Sequence, residues 1–200
     1  MINPKQTKSK ERIRDLGEVF TSEREVNAML DLVRDESFKV ESTFLEPTCG
    51  NGNFLVTILM RKLETIRSKY KKQEAVEYNI IKALSSIYGI DISAENIEEA
   101  HERMEVEVIN FYSDYFNTNE ATEGFWDSVR WILSKNIIIG DSLNKLEDIT
   151  FVEYHFPKGY CVTRESFKLT DLIRAASKKM SFDFKEPVQK YKLSRYQELC

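Results

Sequence analysis

Two hundred residues with a formal charge of −4, 42% apolar and 31% charged, suffice for one domain with a sizeable core and match an ordinary globular composition. No window reaches the apolar length that crosses a bilayer, and the polar start "MINPKQTKSKERIR" lacks the apolar centre of a signal peptide, so a cytoplasmic location with no membrane partner is expected. Three cysteines (49, 161 and 200) and two histidines (101 and 155) form neither a disulfide framework nor a metal-ligand spacing, which argues against zinc chemistry.

The charge is uneven. Residues 1–14 carry five basic and one acidic side chain, and residues 151–200 carry ten basic and six acidic, so each end is +4 and the body between them is −12. Basic ends can meet a polyanion such as DNA, or can simply be solvated lysines. We divide the chain into a basic arm (1–16), a body (17–150), and a closing segment (151–200) packed on the same domain.

In chain order, "GEVFTSEREVNAMLDLV" places Ser22 three residues before Glu25, a capping box. Val26, Met29, Leu30 and Val33 then follow at helical spacing as one apolar face. A strand is expected at 43–46. A helix from about Phe54 should bury Leu55, Ile58, Leu59 and Leu63, and "NIIKALSS" reads as a second helix. "IYGID", 87–91, reads as a short strand. Ser93 caps a helix whose apolar positions are Ile97, Met104, Val108, Phe111 and Tyr115. Residues 121–135 form another helix, with Trp126, Val129, Ile132 and Leu133 inward, and "NIIIGDSL", 136–143, is a buried strand with a tight turn. Alternating strands and helices predict an α/β fold with a parallel three-stranded sheet and flanking helices. "FVEYHF" and "YCVTR" predict a hairpin around Pro157-Lys158-Gly159, followed by a helix at about 167–179 and a basic tail.

The stretch "FLEPTCGNGNFL", 44–55, carries the chemistry. A strand that runs through glycines into a helix brings backbone amides to a ligand. Gly50 and Gly52 leave room for that approach, since neither carries a Cβ. The next strand ends in Asp91, where an acid suits a ribose diol, and the third ends in Asp141-Ser142-Leu143, where an acid and an amide suit an adenine edge. Either acid could instead cap a helix or close a turn. The dinucleotide fingerprint fits poorly, because the acid lies too far along and position 55 is leucine. Glu46 repels pyrophosphate but suits an ammonium. Ribose, adenine and a cationic amino-acid end together describe S-adenosylmethionine rather than NAD.

These segments resemble the N6-adenine DNA methyltransferases of bacterial restriction–modification systems. "GEVFTS" is similar to their G-x-[FY]-[FT]-[TS]-P motif, "LEPTCGNGNFL" to E-P-[AS]-C-G-x-G-x-F-L, "YGIDI" to the ribose-binding strand and "IIIGDSL" to the adenine-contacting turn. The resemblance covers about Gly17 to Leu143 and implies a partial Rossmann-like, cofactor-binding methyltransferase fold. By it, Phe20 and Thr21 would meet the methionine end, with Glu46, Pro47, Thr48 and Cys49 beside it. Gly50, Gly52, Asn53 and Phe54 would complete the loop. Asp91 and Ile92 would hold the ribose, and Asp141, Ser142 and Leu143 the adenine. Ser22 stands where the family has proline and serves the same helix start as an N-cap.

One departure is large. The family's [DNS]-P-P-[YFW] motif activates the amino group of a flipped adenine. The prolines here, at 4, 47, 157 and 187, are never adjacent, so no catalytic residue is assigned. Residues 144–200 are too few for the remaining strands plus a target-recognition domain. The expectation is one subunit of a split DNA-modification system, with a second chain supplying catalysis and target recognition. The alternative is a non-catalytic cofactor-binding or assembly protein derived from such an enzyme. Methylation of RNA or a small molecule ranks last, for want of a nucleophile-activating group. In the family a fourth strand lies beside the first, so the hairpin 151–163 is expected to cover that edge in this chain or a partner, or else to serve a homodimer contact. Tyr191 and Tyr196 in the basic tail could stack on DNA bases or pack internally.

Overall fold

The computed structural model describes residues 21–171, 173 and 187–200. Its N-terminal helices are α1 (Glu23–Asp31) and α2 (Arg34–Phe38). The expected capping box is present: the Ser22 amide donates to Glu25 Oε2 at 3.0 Å, and the Glu25 amide donates to Ser22 Oγ. The Ser22 hydroxyl first and its amide second, both donating to the Glu25 carboxylate, lower the Glu25 pKa. Val26 and Leu30 are buried, but Met29 and Val33 are half exposed. The expected four-residue stripe narrows to two: Val33 falls beyond α1, which stops at Asp31, and Met29 lies within α1 but outside its buried side.

The body follows as β1 (Phe44–Glu46), α3 (Asn53–Lys69), α4 (Gln73–Ser85), β2 (Ile87–Asp91), α5 (Ala94–Phe116), α6 (Phe125–Asn136) and β3 (Ile137–Ile139). Ser93 caps α5 as expected, accepting from the Asn96 amide. The three strands are parallel in the order β1-β2-β3, with Glu46 beside Gly89 and Gly89 beside Ile137. All three therefore end at the same side of the sheet.

Alternation along the strands splits the sheet into two faces. Phe44, Ile87 and Ile137 face the main core, built from α3, α4, α5 and α6. There Gly89 packs closely, since a Cβ would lie 2.8 Å from Leu55 Cδ1 and 3.0 Å from Cys49 Sγ, and those side chains would have to shift to admit one. Tyr88 and Ile90 face the opposite way, into a smaller cluster with Ile149, Phe151 and Leu169. On α5, Ile97, Met104, Val108 and Phe111 are buried as expected, but Tyr112 is fully buried as well and Tyr115 is only partly buried. On α6, Phe125 enters the core and Trp126 packs at its margin.

The closing segment forms β4 (Thr150–His155), β5 (Cys161–Lys168), β6 (Gln189–Lys190) and β7 (Ser194–Arg195). The β4–β5 hairpin turns at Gly159 and Tyr160, both at positive φ. It does not extend β1. β5 pairs with β4, β6 and β7 in an antiparallel sheet of its own. The hairpin lies over the second face of the parallel sheet, where the Tyr88 hydroxyl donates to the Val152 carbonyl at 2.7 Å. An apolar face needed cover more than the edge needed a strand, because Tyr88 and Ile90 would otherwise stand in water. Among the described residues, nothing pairs with the outer edge of β1.

β5 runs to Lys168, so the expected helix begins at Leu169, and most of it lies outside the described residues. Of the tail aromatics, Tyr196 is fully buried and donates to Glu77 Oε2 at 2.7 Å. Tyr191 meets Trp131 edge-on. Both pack rather than face solvent as a stacking pair.

Candidate functional site

The carboxyl ends of three parallel strands meet at one cavity of about 570 Å³, a size that accepts a nucleoside-sized ligand. β1 and its loop contribute Glu46, Pro47, Thr48, Cys49 and Gly50, and the first turn of α3 contributes Asn53 and Phe54. β2 ends in Asp91 and Ile92 at the same cavity, and β3 leads to Asp141, Ser142 and Leu143. Thr21 closes a further side. Phe20 lies outside the described residues. Asn51, Gly140 and Asn144 also line the cavity. They are neighbours of the motif residues, and only their adjacency in sequence could have flagged them.

Gly52 departs from the expected role. It caps α3 at φ +87°, and a Cβ there would meet Ala100 Cβ at 3.0 Å. It serves the packing of α3 on α5 and does not line the cavity. Gly50, at φ +53°, does line it, and a Cβ on Gly50 would meet nothing within 4 Å.

Asp91 organises the floor. Its Oδ2 accepts from the Gly50 amide at 2.9 Å, while Oδ1 accepts from the Ser93 amide at 2.9 Å and Asn96 Nδ2 at 3.2 Å. It ties the loop after β1 to the start of α5. Asp141 accepts from the amides of Leu143 and Asn144 and from Asn144 Nδ2. Those bonds hold its carboxyl below the usual range, the Asn144 side chain first. Asp141 thus closes the turn its position also allowed, whereas the cap of α5 is Ser93 and Asp91 instead holds that cap's amide; both acids line the cavity. Ser142 Oγ donates to the Pro47 carbonyl at 2.6 Å and joins the first and third strand ends.

Two groups are shifted by burial. The Glu46 carboxyl is raised by desolvation, against the hydrogen bonds from Thr48. The Cys49 thiol is buried, and desolvation followed by the charges of Asp91 and Glu46 pushes it up to about 12. A thiol so placed stays protonated and is a packing group, not a nucleophile. Ile92 and Leu143 are 66% and 82% exposed at the mouth, two apolar surfaces able to lie against a flat ring.

The described residues contain no group of three or more metal-ligating side chains, and no helix long and apolar enough to cross a membrane. No family model matches the chain, and neither the curated proteins nor the solved structures compared with it give a match.

Proposed function

We propose that the cavity binds S-adenosylmethionine and that the chain is the cofactor-binding subunit of a split adenine-N6 DNA methyltransferase. The observation that carries this reading is the convergence of Glu46, Asp91 and Asp141 on one cavity from three strand ends. In the proposed pose, Asp91 accepts from the ribose hydroxyls, Asp141 and the loop amides meet the adenine edge, and Ile92 and Leu143 flank the ring. Glu46 faces the ammonium. A half-buried carboxylate there opposes a pyrophosphate, which argues for S-adenosylmethionine over a dinucleotide.

The open side of β1 supports the subunit reading. The Phe44 amide donates to the Ser86 carbonyl, so by alternation Leu45 turns its amide and carbonyl away from β2. Its side chain, 43% exposed, lies on the face that the hairpin covers only at β2 and β3. A strand from the chain that carries catalysis and target recognition would pair there.

One observation favours a second reading, a non-catalytic assembly protein. Asp91 and Asp141 are already satisfied by donors of their own chain, as they would be in a scaffold that no longer binds a ligand. Equilibrium dialysis with labelled S-adenosylmethionine separates the two. Saturable binding, displaced by S-adenosylhomocysteine and not by NAD, supports the cofactor reading; no retention at millimolar ligand supports the scaffold.

A further inference from the structure

The loop after β1 is held from behind by α5. Glu99 and Arg103 stand one turn apart on that helix, either side of Ala100, which touches Gly52. Glu99 Oε1 accepts from Asn51 Nδ2 at 2.8 Å. Arg103 Nη1 donates to the Asn51 carbonyl at 2.7 Å and to Asn53 Oδ1 at 2.9 Å. The other end of the Asn53 amide donates to the Thr21 carbonyl at 3.0 Å. The Asn53 side chain is thereby oriented. With its oxygen engaged by a guanidinium, its nitrogen must face Thr21.

Arg103 does not itself line the cavity, whereas Thr21, Asn51 and Asn53 all do. We propose that Arg103 is the positioning residue of this site, joining the loop after β1 and Thr21, which leads into α1, into one rigid wall. Without the guanidinium, the Asn51 carbonyl loses its donor and the Asn53 amide is free to rotate, releasing Thr21. The wall then opens by local unfolding rather than by loss of the fold. The consequence for ligand affinity rests on the cofactor reading; the rigidity of the wall does not.

Cys49 gives a readout independent of any ligand. Its thiol is buried beneath this loop, and a Cys161→Ser, Cys200→Ser background leaves it the sole cysteine. Labelling by a thiol-specific disulfide reagent, S-adenosylmethionine titration and urea midpoints are compared for that background, Arg103→Ala and Arg103→Lys. Arg130→Ala is the control; it loses surface ion pairs to Glu105 and Asp127 away from the loop. We expect Arg103→Ala to label at least tenfold faster and to bind the cofactor at least tenfold more weakly, with Arg103→Lys recovering part of both and Arg130→Ala changing neither. Labelling of Arg103→Ala at the background rate would overturn the proposal whatever happens to binding. If Arg103→Ala does not fold, the decision rests on Arg103→Lys, for which a background labelling rate is equally fatal. If the background protein binds no cofactor while Arg103→Ala still labels faster, the cofactor reading fails and the positioning role stands.

Discussion

The Gly50 amide and the Asp91 carboxylate meet at 2.9 Å across 41 residues of chain. That bond holds the backbone of the glycine loop against the end of the middle strand, and the loop takes its shape before any ligand arrives. A rigid floor of this kind lowers the ordering cost of binding.

Asp91 should therefore matter to the empty protein as well. Asp91→Ala removes the acceptor for the Gly50 and Ser93 amides, and we expect it to cost about 1–3 kcal/mol of folding stability. Asp91→Asn keeps one acceptor oxygen and should cost less. Urea denaturation at neutral pH measures both, and an Asp91→Ala variant as stable as the parent would refute the structural role.

Glu46 predicts a pH dependence. Burial raises its pKa in the folded chain, so its contribution to folding is fully present below the ordinary carboxylate pKa and is lost as pH rises through the raised value. Binding of a cationic ligand needs the ionised form and runs the other way. Affinity for S-adenosylmethionine should fall as pH drops through the raised pKa, and Glu46→Gln should bind weakly with a flatter profile. Calorimetric titrations across mildly acidic pH would show it; parallel profiles for the two proteins would exclude the assigned role.

Lys62 predicts a second, at the opposite end of the sheet. Its fully buried ammonium donates to the carbonyls of Val40 and Ser42 and to Ser86 Oγ, joining the entries to β1 and β2. Burial lowers its pKa to about 7. A depressed lysine gives stability that is present above the unfolded pKa and lost as pH falls toward 7. Relative to Lys62→Met, the parent should gain stability between pH 7 and 10. Thermal melts of the pair over that range test this, and parallel curves would contradict it.

Glu77 is a fully buried carboxyl group. Tyr112, Tyr196, Thr122 and Gln73 all donate to it, fastening the tail to α4 and α5. Glu77→Leu leaves two buried tyrosine hydroxyls without their acceptor and should cost about 2–4 kcal/mol. Tail release would show as faster amide exchange at Tyr196 and Leu199, and an unchanged exchange rate would refute the fastening role.

Local rules made much of this legible. The capping box at Ser22 and Glu25, the cap at Ser93, and the buried Leu55, Ile58, Leu59 and Leu63 follow from spacing alone. Three strand ends at one cavity followed from the alternation of strands and helices. Features set by distant partners were not legible. Gly52 reads as ligand clearance until Ala100 is seen behind it. The hairpin reads as an edge strand until Tyr88 and Ile90 are seen to need cover. Arg103 lies in a run of charged helix residues, and nothing local separates it from its solvated neighbours.

The most direct test is a calorimetric titration of S-adenosylmethionine into the purified chain and into its Asp91→Ala and Asp141→Ala variants. One molecule bound per chain, with affinity at least tenfold weaker in each variant, is the predicted result. No heat from the parent, or the same affinity in all three, would contradict the claim that these strand ends form a single cofactor site.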